Sequence, residues 1–124
     1  EGTVLPSGPV LVAAQLPNDN SVKKSALEYV AKYEAANGKG SVTAFGGYAW
    51  DAGLLLANAV PAALKKAQPG TREFRAALRD ALESTKNLAA SHGVFNMSTQ
   101  DHLGLDQRAR VMVTIKQGAW EYTK

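Results

Sequence analysis

The feature that most constrains this chain is the stretch 48–67. There Trp50, Leu54, Leu55, Leu56, Val60 and Leu64 place apolar side chains nearly all round a helix, with Asp51 in its first turn and Lys65 and Lys66 in its last. A helix apolar on every side has to be buried, and these end charges suit its dipole. About 20 apolar residues would also suffice to cross a bilayer. Asp51, Asn58 and Pro61 interrupt the run, each costly in hydrocarbon, and no Trp/Tyr belt flanks it on both sides. The segment therefore reads as a core helix that Pro61 kinks or ends.

The flanking sequence has to supply what buries it. Residues 10–14, Val10-Leu11-Val12-Ala13-Ala14, form a short continuous apolar run of the kind buried strands show, and Pro17-Asn18-Asp19-Asn20 breaks it. Ser21 is placed to cap a helix whose apolar positions Val22, Ala26, Tyr29, Val30 and Tyr33 follow helical spacing, and Asn37-Gly38 supplies its stop. After the turn Gln68-Pro69-Gly70, Thr71 caps a third helix with Phe74, Leu78, Ala81 and Leu82 inward and Arg72, Arg75, Arg79 and Glu83 outward.

Beyond residue 93 the period changes to two. Residues 94–98 read as a short strand, and Val111, Val113 and Ile115 alternate with Arg110, Met112, Thr114 and Lys116 over a half-exposed one. Gln117-Gly118 then turns the chain into a partner strand at Ala119-Trp120-Glu121-Tyr122, making a C-terminal hairpin. The expected fold class is α/β, with three main helices bracketed by short strands.

Little in the sequence carries chemistry. With 124 residues, 45% hydrophobic and 20% charged, this is one domain's worth of globular chain. The net charge of +3 is spread out, with Lys23-Lys24 and Lys65-Lys66 as the adjacent pairs, so no phosphate-tracking face forms and no nucleic-acid partner is expected. The absence of cysteine excludes disulfides, thiolate zinc sites and thiol nucleophiles together. His92 and His102 lie in loops without metal-ligand spacing. Asp101-His102-Leu103-Gly104-Leu105-Asp106 lacks the alternating oxygen ligands and closing Glu of a calcium loop and reads as a turn. No Ser sits in a nucleophile elbow, and Phe45-Gly46-Gly47-Tyr48 lacks dinucleotide spacing. No enzyme activity, cofactor or metal is therefore expected.

What remains is the junction 42–52, where Phe45, Tyr48 and Trp50 gather around Gly46 and Gly47 just before the apolar helix. Glycines let a ligand approach the backbone, and a helix start offers unpaired N–H groups to a carboxylate while an aromatic packs on its apolar body. The ligand-binding candidates are Phe45, Gly46 and Tyr48. Composition alone favours the plainer reading of these residues, core anchors around a turn, since most buried aromatics are packing.

Leu11-Val12-Ala13-Ala14-Gln15-Leu16-Pro17, a Tyr-containing helix, Gly47-Tyr48-Ala49-Trp50-Asp51-Ala52, the helix Arg75-Ala76-Ala77-Leu78-Arg79-Asp80-Ala81-Leu82, then Gly93-Val94-Phe95-Asn96-Met97-Ser98, Asp101-His102, Gly104, Val111-Met112-Val113 and Gln117-Gly118-Ala119-Trp120 follow one another in this order. The succession resembles the C-terminal third of a periplasmic solute-binding protein of the branched-chain amino acid ABC transporter family, a type I periplasmic binding protein. The resemblance implies a two-lobed, hinged protein in the periplasm that closes on a small solute and delivers it to the membrane subunits of an ABC transporter.

Residues 1–124 would then be a single fragment. It would begin near the second of three crossings between the lobes, supply the closing helices of one lobe and make the last crossing near its C-terminal strands, the remainder of both lobes being absent. The opening Glu1-Gly2-Thr3-Val4-Leu5-Pro6, with no initiator Met or leader pattern, fits a cut chain.

Phe45 falls where branched-chain amino acid binders of this family set an aromatic against the ligand, with Gly46 and Tyr48 as weaker neighbours. Gly46-Gly47 stands where bulkier residues are common, which implies a wider pocket and a larger or aromatic carboxylate. Two rival readings are the sensor domain of a membrane receptor, which the end at Lys124 soon after the hairpin disfavours, and an interaction module using Trp50 or Trp120. A fragment that exposes the apolar helix is expected to self-associate.

Overall fold

The computed structural model describes residues 1–123, so Lys124 lies outside the described residues. In chain order the elements are β1 (Val4–Ser7), a 3-10 segment Pro9–Gln15, α1 (Lys23–Asn37), α2 (Ala44–Leu64), α3 (Arg72–Glu83), β2 (Leu88–Ala89), β3 (Val94–Phe95), a 3-10 turn Gln107–Ala109, β4 (Val111–Lys116) and β5 (Ala119–Thr123). The expected α/β class, with its main helices between short strands, is what forms.

The alternating apolar residues of β4 put it at the centre of a three-stranded antiparallel sheet of order β1-β4-β5. Val113, fully buried, pairs with Leu5 on one side and Tyr122 on the other. The hairpin turns at Gln117 and Gly118, whose φ values of 51° and 74° are both left-handed, as a two-residue turn matching the twist of its strands requires. β2 and β3 make a separate two-stranded ribbon.

The apolar run at 10–14 is a 3-10 segment, and the strand expected there lies earlier, at β1. Continuous apolar runs look alike in either state. Here Pro9 stands at the first helical position with its φ already set, and this decides the matter. Coiling lets the segment serve two clusters at once. Val12 and Leu16 pack with Val22, Val94 and Val113, while Val10 and Ala13 pack with Ala26 and Tyr29. Each fully buried Val or Leu contributes about 1.5–3 kcal/mol relative to exposure, so this short stretch ties the sheet to α1.

α1 begins at Lys23, not at Ser21. The side chain of Asn20 accepts from Val22 N at 3.0 Å, and Ser21 makes no cap. Its end is as expected: Gly38, at φ 93°, donates its N–H to the Glu34 carbonyl. α3 is capped by Thr71, whose hydroxyl accepts from Phe74 N at 3.1 Å. Its expected inward residues are half-buried around a buried Ala77, and Glu83, expected to face water, is half-buried with its carboxylate 2.9 Å from His102 Nε2. The strand expected over 94–98 is confined to Val94–Phe95, because Met97 N turns to the Thr85 carbonyl.

α2 departs furthest from expectation. It starts four residues early, at Ala44, because Thr43 Oγ1 accepts from Gly46 N at 3.1 Å and nucleates the first turn. It runs on through Pro61 to Leu64, so the proline does not end it. It is not buried all round either: Gly47, Asp51, Ala59 and Ala63 are buried, while Leu56 and Leu64 are 46% and 49% exposed. The chain covers one face of this helix, largely with α3, and leaves the other open. Among the described residues no helix is long and apolar enough to cross a membrane.

Candidate functional site

The first two turns of α2 lie over the connection between β2 and β3, and a buried carboxylate joins them. Asp51, expected to serve the helix dipole from the first turn, is 2% exposed. Its Oδ1 accepts from Ser91 N at 2.7 Å and its Oδ2 from His92 N at 3.0 Å. The Ser91 hydroxyl donates to the Gly47 carbonyl at 3.3 Å, and His92 Nδ1 lies 3.0 Å from Ser91 Oγ and 3.3 Å from Asp51 Oδ2. A charged acceptor taking two backbone donors is the strong form of the hydrogen bond, so this contact clamps residues forty positions apart in the chain.

The two glycines of the junction make that approach feasible. A Cβ at Gly47 would come within 2.4 Å of His92 Cε1, and one at Gly46 within 2.2 Å of Tyr29 Oη. The space the glycines open is filled by the protein's own Tyr29 and His92. The widened pocket expected at Gly46-Gly47 is therefore not formed, and the preference for a larger acid argued from it loses that support. Gly46 N and Gly47 N are also taken, by the Thr43 hydroxyl and carbonyl. This leaves the N–H groups of Ala44 and Phe45 as the donors the helix start can offer.

Tyr48 stacks on His92, with ring centroids 4.0 Å apart and planes at 24°, and is 53% exposed. Its ring borders an open cleft of about 790 Å³, which is also lined by Ser7 and Gly8 at the end of β1, by Ala44, by His92 and by Arg110. Phe45 stands beside this cleft, 83% exposed and edge-on to Tyr48 at 6.3 Å. Of the candidate ligand residues, then, Tyr48 lines the cleft, Phe45 projects next to it, and Gly46 faces Tyr29 behind it.

The rim of the cleft is the loop 101–110. Asp101 Oδ1 accepts from Leu103 N and Gly104 N at 2.9 Å, with Gly104 at φ 64°, so this segment is the turn its sequence predicts. Asp106 accepts from Arg108 N at 2.9 Å and pairs with its guanidinium at 2.6 Å. The Arg108 side chain and backbone N–H hold the Asp106 carboxyl down at about 2. Arg110 has no ion-pair partner among the described residues, and it lines the cleft. Among those residues no group of His, Cys, Asp and Glu side chains could hold a metal ion.

Sequence reasoning missed Asp51, Ser91 and His92. The signal was there in Asp51, a carboxylate inside an apolar helix, which has to find partners if it is buried.

No protein-family model and no curated protein matches the chain. Solved structures do. An extracellular ligand-binding receptor from Rhodopseudomonas palustris is 42% identical, with a TM-score of 0.92 over 100% of this chain and 34% of its own. Two further receptors of this description from R. palustris HaA2 are 40% and 41% identical, with TM-scores of 0.92 and 0.88, over 100% and 99% of this chain and 35% and 34% of theirs. The chain spans about a third of the length of the solved proteins it matches. Identity at that level along the whole chain, on a shared backbone, makes this chain a segment of the extracellular ligand-binding receptor family, about a third of the two-lobed type I periplasmic-binding-protein fold that its solved neighbours have.

Proposed function

We propose that the protein carrying this chain is the solute-binding component of an ABC transporter. It works in the periplasm without catalysis and closes two lobes on a small carboxylate, an amino acid or an aromatic acid. The observation that carries this reading is the half-exposed Tyr48 ring at an open cleft beside Arg110, a cation without a partner among the described residues. An apolar platform beside a free positive charge suits an acid with an apolar body. Phe45 and Tyr48 are its proposed contacts, while Gly46 acts indirectly by admitting Tyr29 beneath the helix start. The membrane subunits of the transporter are the proposed partners. The exposed Leu56 and Leu64 mark the face through which this chain alone would self-associate, which its mass in solution would show.

A thermal-shift series on the full-length protein with branched-chain amino acids and aromatic acids tests the reading, since a ligand at 100 times its Kd adds about 2.7 kcal/mol to apparent stability. A shift with members of the panel is expected. No shift with any of them would overturn the carboxylate.

A further inference from the structure

The sheet β1-β4-β5 has two edges, and an open edge is a row of backbone N–H and C=O groups that templates pairing with another chain. Ile115 N donates to the Thr3 carbonyl, so in the alternation of a strand it is Val4 and Pro6 whose backbone groups point away from β4. Pro6 has no N–H to give, which blunts the β1 edge. β5 has no proline, and its outward groups are those of Trp120 and Tyr122. Two of these four are taken by a side chain. Gln15 Nε2 donates to the Trp120 carbonyl at 3.0 Å, and Gln15 Oε1 accepts from Tyr122 N at 2.8 Å. Bonds to the residues on either side of Glu121 are what one residue of a parallel strand would make. The backbone that presents this carboxamide is fixed: Leu16 is 2% exposed in the cluster with Val113, and Lys23 Nζ donates to its carbonyl at 2.6 Å. Gln15, 105 positions from Trp120 in the chain, thus reaches β5 with little more than its own side-chain torsions left to order.

We propose that Gln15 guards this edge: its carboxamide holds the place of a strand and keeps β5 from pairing antiparallel with β5 of a second copy. The bare strand is self-complementary. With Trp120 of one copy opposite Tyr122 of the other, all four outward groups of each strand find partners, and the facing aromatic pairs favour the contact. The same register sets Glu121 against Glu121 of the second copy, and like charges directly opposite oppose pairing. Gln15 is therefore the first obstacle and Glu121 the second. This pairing is distinct from association through Leu56 and Leu64, which lie on α2.

Gln15→Leu keeps bulk at this exposed position and removes both bonds. In dilute solution the Tyr122 amide of the variant should exchange with solvent about fivefold faster, while the Glu121 amide, which faces β4, keeps its rate. As the concentration rises, the Tyr122 amide should become protected again, which a strand that had only loosened would not do. The chain has no cysteine, so a single introduced one reports the register. In the paired strands the two copies of residue 121 face each other with Cα atoms about 4.5 Å apart, within disulfide reach. Glu121→Cys should form the linked dimer at least about tenfold faster in Gln15→Leu than with Gln15 in place, the worth of two exposed hydrogen bonds. Met112→Cys, exposed on β4, is the control and should show no such gain. An unchanged Tyr122 rate in dilute Gln15→Leu would overturn the proposal at its first step. Fast exchange without reprotection or added crosslinking would reduce Gln15 to a local cap, and equal gains at positions 112 and 121 would move the association to another surface; either would overturn the guard.

Discussion

The floor and the rim of the cleft are each held by an aspartate that accepts backbone N–H groups, and they are held in different ways. At the floor, Asp51 reaches across forty residues of chain to Ser91 and His92 and is sealed from water. At the rim, Asp106 closes on Arg108, two residues away, with about half of each side chain open to solvent. The floor bond exists only in the folded protein and loses everything if one partner goes. The rim bond can form in a short stretch of chain and competes with water throughout. Rigidity in this cleft is therefore concentrated under Tyr48, and the loop 101–110 is the part that local forces shape.

The sharpest way to break the comparison is to remove each carboxylate in turn. Asp51→Ala orphans two buried N–H groups and should destabilise the chain by about 3 kcal/mol, read as a lower urea midpoint with unchanged slope. Asp106→Ala should barely move the midpoint, since exposed pairs contribute little. Equal effects from the two would erase the distinction between floor and rim.

Gly47→Ala comes next. Its new methyl meets His92 Cε1 at 2.4 Å in a place where α2 and the β2–β3 connection cannot separate without breaking the Asp51 bonds. Overpacking of this kind costs about 1–3 kcal/mol. Gly53→Ala is the control within the same helix, because nothing lies within 4 Å of a Cβ there, and it should stabilise by about 0.5–1 kcal/mol. If urea melts rank the two substitutions the other way round, the close approach of helix and imidazole is wrong.

The same contrast explains what could be read in the sequence. The hairpin at Gln117-Gly118 and the Thr71 cap were legible because a turn or a cap is decided within a few residues. So was the order of motifs that identifies the family. The start of α2 was misplaced because glycines at Gly46 and Gly47 read as a turn, when their role is to bring the helix against Tyr29 and His92, which are remote in sequence. The strand expected at 10–14 failed for a related reason: an apolar run states that it is buried, not in which conformation. At the site, Tyr48 was visible as an aromatic near glycines, whereas the Asp51–Ser91–His92 cluster depends on a contact that no local pattern announces.

The smallest expected effect concerns the rim alone and is set by pH. The Asp106 carboxyl is held at about 2, below its ordinary 3.8, first by its hydrogen bonds to the Arg108 side chain and then by the Arg108 backbone N–H. A depressed value means that the ionised form is favoured in the fold, so the contribution is fully present above 3.8 and is lost as pH falls through about 2. The rim should thus keep its shape from neutral pH down to 3.8 and loosen below it, with the Arg108 amide resonance following the titration. Arg108→Gln removes the guanidinium and should bring the Asp106 midpoint back up toward 3.8 while leaving the floor resonances of Ser91 and His92 in place at neutral pH. A midpoint that stayed near 2 in the variant would assign the depression to the backbone of the turn, and would make the rim as independent of its side-chain partner as the floor is dependent on Asp51.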